Sequence, residues 1–279
     1  MKTPSITLLL LLCFTAFVSA QDMGLEAEAK TTTSHEMIEI SEEKDAMETD
    51  STTVADPQEM DKKSRSSGLA VNIVQNNVGG FFPVFLGHVN LRPNLNATWY
   101  SVFWTNPSFG TLDVGGDLWL ETGAGLGFSS PNGKWYVNPS IGFTHGKLLS
   151  GGERTAIGDG IVPSIMALYN DKVFEFEFYL AYYKALRKEG PVTKDFVLNW
   201  IAPGVKVSKT FSIGAFYEQF VLTRITEGDP HSIYQWLGPY VKVPVGEGHF
   251  VRFAGGWNLA NQEATGNEFY KISAFIALK

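Results

Sequence analysis

Residues Val173–Tyr183 read VFEFEFYLAYY, and this segment constrains the fold more than any other. In an extended strand successive side chains alternate between faces. Phe174, Phe176, Phe178, Leu180 and Tyr182 then share one face, while Glu175, Glu177, Tyr179, Ala181 and Tyr183 share the other. A large aromatic face backed by carboxylates suits a strand with lipid on one side and a polar interior on the other. A helical period would scatter both sets around the axis.

The rest of the chain extends this reading. From Gly68 onward, short β-like runs alternate with turn clusters, and twelve runs are expected: 69–75, 81–91, 95–104, 117–128, 134–145, 160–169, 172–185, 195–207, 210–224, 234–245, 248–257 and 267–278. Most have the roughly nine to eleven residues that a tilted strand needs to cross a bilayer. Connections after odd strands are mostly long, as in TNPSFGTLDVGG and GKLLSGGERTAIGD; those after even strands are short, as in Arg92-Pro93-Asn94 and Gly246-Glu247-Gly248. Outer-membrane barrels sort their loops this way, with short periplasmic turns and longer external loops. The expected fold is all-β: an up-and-down antiparallel transmembrane β-barrel of about 12 strands. The long loops, including Gly146–Asp159, are expected outside and both termini in the periplasm. Trp104, Trp119, Trp135, Trp236 and Trp257 lie near strand ends, where aromatic girdles form. Pro139, Pro163, Pro203 and Pro239 fall inside runs and call for bulges or bends.

The N-terminal region has a different composition. Met1–Ala20 has a charged start at Lys2, an apolar core from Leu8 and a small-residue cleavage site at Val18-Ser19-Ala20. It reads as a cleaved export signal, too short in its apolar run to span a bilayer. The chain's one cysteine, Cys13, lies within it, so the mature chain has no thiol chemistry or disulfide. Residues 21–66 form an acidic linker: positions 21–65 hold thirteen Asp/Glu against five Lys/Arg and no aromatic residue. Such a segment buries too little apolar surface to offset its ordering entropy, and disorder is expected. The barrel domain then spans 67–279. From residue 66 onward sixteen acids balance sixteen Lys/Arg, so no basic field exists for nucleic acid.

Once the apolar face is assigned outward, parity names the interior. Leu118, Leu120, Ala124, Leu126 and Phe128 point out; Asp117, Trp119, Glu121, Gly123, Gly125 and Gly127 point in. The interior charges are then Glu121, Glu175, Glu177 and Glu218 from strands four to nine, and Lys242, Arg252 and Lys271 from strands ten to twelve. Glu218 shares its face with Phe216 and Phe220, which blurs that strand's parity. In a wide lumen, opposed acidic and basic walls would act on passing solutes; in a narrow one the groups would pair. Pairing is expected, because unpaired charge in a narrow, dry interior is costly. The expected pairs are Glu177 with Arg252 and Glu121 with Lys271. The inward glycines, beside Ser140 and Gly142, let the sheet coil or leave room for a solute or for an opposing aromatic such as Tyr179.

No catalytic constellation emerges. Outer-membrane lipid hydrolases place a serine two residues after a histidine, and none of His35, His88, His145, His231 or His249 has one there. No metal-ligand spacing or phosphate-cradling loop is present, and no cofactor is expected. The expected partners are a lipid bilayer, the outer-membrane assembly machinery and small polar solutes. The alternative is a soluble secreted β-barrel that binds an apolar ligand or partner.

Phe103-Trp104-Thr105, LWLETGAGLGF at 118–128, NPSIGFTHGKLLSGG at 138–152, GIVPS at 160–164 and EFYLAYY at 177–183 resemble an uncharacterised bacterial family of exported β-barrel proteins, a domain of unknown function. The NPxxGxxxGxLLSGG run is the most specific of these. The resemblance implies an outer-membrane fold and compartment, and no activity. Barrels of this kind usually end on an aromatic residue, whereas here the last residues are Ile276-Ala277-Leu278-Lys279, with Phe275 four residues short.

Overall fold

The computed structural model describes residues 67–104, 119–151, 156–188, 192–226, 228–260 and 265–278. The expected export signal at 1–20 and acidic linker at 21–66 lie outside these residues, as do Asp117 and Leu118. Among the described residues the chain forms twelve strands: β1 (Ser67–Asn76), β2 (Gly80–Arg92), β3 (Leu95–Trp104), β4 (Trp119–Ser129), β5 (Trp135–Gly146), β6 (Ala156–Asn170), β7 (Phe174–Ala185), β8 (Lys194–Lys206), β9 (Ser212–Ile225), β10 (His231–Pro244), β11 (Phe250–Asn258) and β12 (Glu268–Leu278). Each expected run is present. The largest differences are at β6 and β10, which begin earlier than expected. At β6 a register shift after Thr144 lets Gly146 pair with Ala156, which prolongs the hairpin.

Every strand is antiparallel to its neighbours in sequence, and β1 pairs with β12 from Leu69↔Leu278 to Asn76↔Lys271. The sheet is a closed barrel. Closure matters because a sheet edge in hydrocarbon would leave backbone groups without partners.

The side-chain alternation read from β7 holds. Glu175, Ala181 and Tyr183 are buried inside, while Leu180 faces out at 41% exposure. Leu126, Phe128, Ile141, Phe143, Val241, Phe253 and Ile272 continue an exposed apolar belt around the outer surface. A soluble protein rarely leaves so much contiguous apolar surface bare.

Two expectations are corrected. The register shifts fall at Asn90/Arg92, Thr144/Gly146, Asp195/Phe196 and Ser232/Tyr234, not at the prolines. Pro139↔Ile165, Pro163↔Ile141, Pro203↔Phe176 and Pro239↔Ala215 remain in register. A proline forfeits one N–H bond: on its other side each ladder is interrupted at the proline and resumes beyond it in the same register. The tryptophan girdle is also smaller than expected. Trp135 and Trp257 are exposed on the outside, but Trp236 is fully buried in the interior and Trp104 packs against Phe82 at 4.5 Å between ring centroids.

The interior has two apolar clusters. The larger includes Leu149, Tyr183, Phe196, Phe216, Phe220, Tyr234, Trp236 and Phe269, mostly from β7–β12 at the long-loop end. Its rings stack in pairs: Phe196–Phe220 at 4.8 Å, Tyr234–Trp236 at 4.1 Å and Trp236–Phe269 at 5.0 Å. The smaller joins Val74, Phe82 and Val102 of β1–β3, with Val84, Tyr100 and Trp104 against it.

Candidate functional site

Three carboxylates on β7 and β9 reach three cations on β10–β12. Glu175 pairs with Lys242 and accepts the Tyr240 hydroxyl at 2.8 Å. Tyr240 comes this close because its ring lies over Gly204 and Gly214, where any Cβ would collide with it. Glu177 takes Arg252 in a two-pronged contact at 2.9 and 3.3 Å, and the Trp200 indole N–H donates to it at 2.7 Å. Glu218 pairs with Lys271 and accepts the Tyr234 hydroxyl at 2.9 Å. Each carboxylate thus has a cation and a further hydrogen-bond donor. That combination offsets the desolvation of a buried ion pair.

The cations also lie over aromatic rings. The Arg252 guanidinium is 5.8 Å from the centre of Phe216 and 5.9 Å from that of Tyr240. The Lys271 ammonium is 5.2 Å from both Trp200 and Phe216. Phe216 therefore serves two cations at once, each contact adding cation–π attraction in a dry setting. The three pairs tie β7 to β10 and β11, and β9 to β12, filling that half of the barrel.

The expected partners are partly redistributed. Arg252 meets Glu177. Lys271 meets Glu218 and not Glu121: β9 stands three strands from β12, while β4 stands four strands from it on the other side, through β1. Glu121 is 1% exposed and accepts hydroxyls from Tyr100 at 2.8 Å and Tyr183 at 3.1 Å. No described cation lies within ion-pair distance of it. Lys242, left without a named partner by the parity count, is the ion-pair partner of Glu175.

Beside the paired charges, aromatic side chains fill much of the interior. The signal was present in the sequence, since Phe216 and Phe220 share the face of Glu218. The inward glycines make room for cross-strand tyrosines rather than for Tyr179. A Cβ on Gly123 or Gly142 would strike Tyr100, and one on Gly127 would strike Tyr136. Tyr179 stacks on Trp200 at 4.0 Å.

Leu148–Ser150, after β5, fold inward. Asp159 accepts the Leu149 and Ser150 amides at 2.7 and 3.1 Å, and the Thr193 hydroxyl donates to the Ser150 carbonyl at 3.1 Å. Leu149 and Ser150 are 0% exposed, so this part of the loop packs into the end of the barrel.

Between the paired half and β1–β6 a cavity of about 1100 Å³ remains, lined by residues of all twelve strands. Its lining runs from Gly79, Trp119 and Leu148 at the long-loop end to Lys209 and Gly248 at the short-turn end. One wall is apolar, with Val74, Phe82, Val84 and Val102; the facing wall carries Glu177, Arg252 and Lys271. His88 lines it nearer the short turns. Among the described residues no three His, Cys, Asp or Glu side chains converge to hold a metal ion.

The fold has counterparts among solved structures. The COG4313 outer membrane channel from Pseudomonas putida F1 is 10% identical with a TM-score of 0.51, covering 83% of this chain and 100% of that one. The NanC porin is 9% identical with a TM-score of 0.45, covering 75% and 100%. The KdgM porin is 8% identical with a TM-score of 0.43, covering 75% and 99%. At such identities the likeness is one of fold. No curated protein matches the sequence. A family model does match, over residues 46–278, and the chain belongs to that family, a family of unknown function (DUF6733).

Proposed function

We propose that this chain is an outer-membrane barrel that provides a narrow passage for small solutes along one wall of its interior. The carrying observation is the cavity of about 1100 Å³ whose lining reaches residues at both ends of the barrel. The half closed by Glu175–Lys242, Glu177–Arg252 and Glu218–Lys271 is the rigid side of the passage. The exposed apolar belt supports a bilayer as the barrel's surroundings and speaks against the soluble alternative. In this reading residues 1–20 direct export and are removed, 21–66 are a linker, and the assembly machinery inserts the barrel.

A second reading is a purely structural barrel, favoured by the packed β7–β12 interior. Conductance in planar bilayers separates the two. Small, steady currents through wild-type protein support the passage; none in repeated insertions supports the structural barrel. Carbonate washing tests the compartment: a protein that stays soluble without detergent rules out the membrane reading.

A further inference from the structure

We propose that the cavity binds small hydrophobic ammonium compounds, with the cationic group against Tyr100 and Tyr183 over Glu121 and the apolar part against Phe82, Val84 and Val102. This names a solute class for the passage and rests on that reading.

The argument begins with charge. Among the described residues that line the cavity, four carboxylates stand with Lys242, Arg252 and Lys271, which are engaged by Glu175, Glu177 and Glu218, and with Lys206 and Lys209 at the short-turn end, where Lys206 donates to Asn170 and to the Asp171 carbonyl. Glu121 is the carboxylate left over. Its contacts are two neutral hydroxyls, and it is 1% exposed. Hydroxyl donors stabilise a carboxylate without neutralising it. In a poorly screened interior its attraction for a cation extends beyond the carboxylate oxygens. Glu121, Tyr100 and Tyr183 all line the cavity, so that attraction acts on whatever enters.

The surroundings select the rest of the ligand. Aromatic faces attract ammonium groups, and Tyr100, Tyr183 and Trp104 stand at this end of the cavity. Val102 pairs directly with Glu121 across β3 and β4, and Val84 pairs with Val102 across β2 and β3. The carboxylate therefore sits at the border of the Val74–Phe82–Val102 cluster. A strongly hydrated cation would leave that wall unfilled. An anion would be repelled, and a neutral apolar solute would gain nothing from Glu121.

Three probes of similar shape test this on the full-length protein in detergent, by calorimetry: phenethylamine, neutral 2-phenylethanol and anionic 3-phenylpropanoate. The expected result is binding of phenethylamine at least about tenfold tighter than 2-phenylethanol, with 3-phenylpropanoate weakest. Glu121→Gln should reduce the amine's advantage to near parity and leave the alcohol unchanged. Equal binding of amine and alcohol to wild type overturns the proposal, whether or not the variant folds; so does an unchanged preference in a folded variant. Conductance is read separately. Currents without amine preference overturn the site and leave the passage standing. Amine preference without currents overturns the passage and leaves the site standing.

Discussion

Arg252 of β11 grips Glu177 of β7 across the barrel, with two nitrogens 2.9 and 3.3 Å from the two carboxylate oxygens. The contact joins strands far apart in the barrel order and stacks the guanidinium between Phe216 and Tyr240. Removing one member of such a pair leaves a charge buried without compensation. Arg252→Ala should destabilise the barrel by about 3–5 kcal/mol, read as a shift of the unfolding midpoint in urea and detergent. In planar bilayers the same variant should conduct better and favour cations, because the passage gains a free carboxylate.

Tyr240 tests the second pair through its supporting hydroxyl. Tyr240→Phe removes the donor to Glu175 and should cost about 1–3 kcal/mol. Gly214→Ala should be worse, since its methyl collides with the Tyr240 ring and the strand on either side blocks relaxation. Equal stability of Gly214→Ala and wild type would show that the ring does not pack there.

Lys271 distinguishes its observed partner from the one expected by counting along strands. A double-mutant cycle between Lys271→Ala and Glu218→Ala should yield a coupling of about 0.5–3 kcal/mol. The cycle with Glu121→Ala should yield close to zero. A reversed result would turn Lys271 toward β4 instead of β9.

Leu180 tests the bilayer. It faces out from the middle of β7, whereas Phe176 lies nearer the short turn, 6.4 Å from the exposed Trp135 ring. Leu180→Arg should therefore impair insertion by about 2–4 kcal/mol, and Phe176→Arg by less. The readout is the folded fraction in lipid vesicles over a urea series.

Orientation is read with epitope tags. Because Leu149 and Ser150 are buried, a tag at neighbouring Gly151 would disturb packing; Asp229, exposed between β9 and β10, is the better site. A tag there should be detected on intact cells, and one at Glu247 between β10 and β11 should not. The opposite pattern would invert the barrel.

The sequence by itself determined the wall of this protein. Alternation along Phe174–Tyr183 states which side chains face in, because a strand has a period of two whatever surrounds it. The strand lengths and sorted connections match the dimensions of bilayer-spanning strands, because bilayer thickness is fixed from outside. Only the tertiary structure decided what happens inside. Lys271 meets Glu218 instead of Glu121 because partners across a barrel are set by its closure and stagger, which no local period encodes. Tyr100 reaches Glu121 because Gly123 and Gly142, on separate strands, together clear space for one ring. The buried Trp236 and the inward Leu149 belong to the same class. Their apolar character suits lipid and core alike, and only the folded position distinguishes the two.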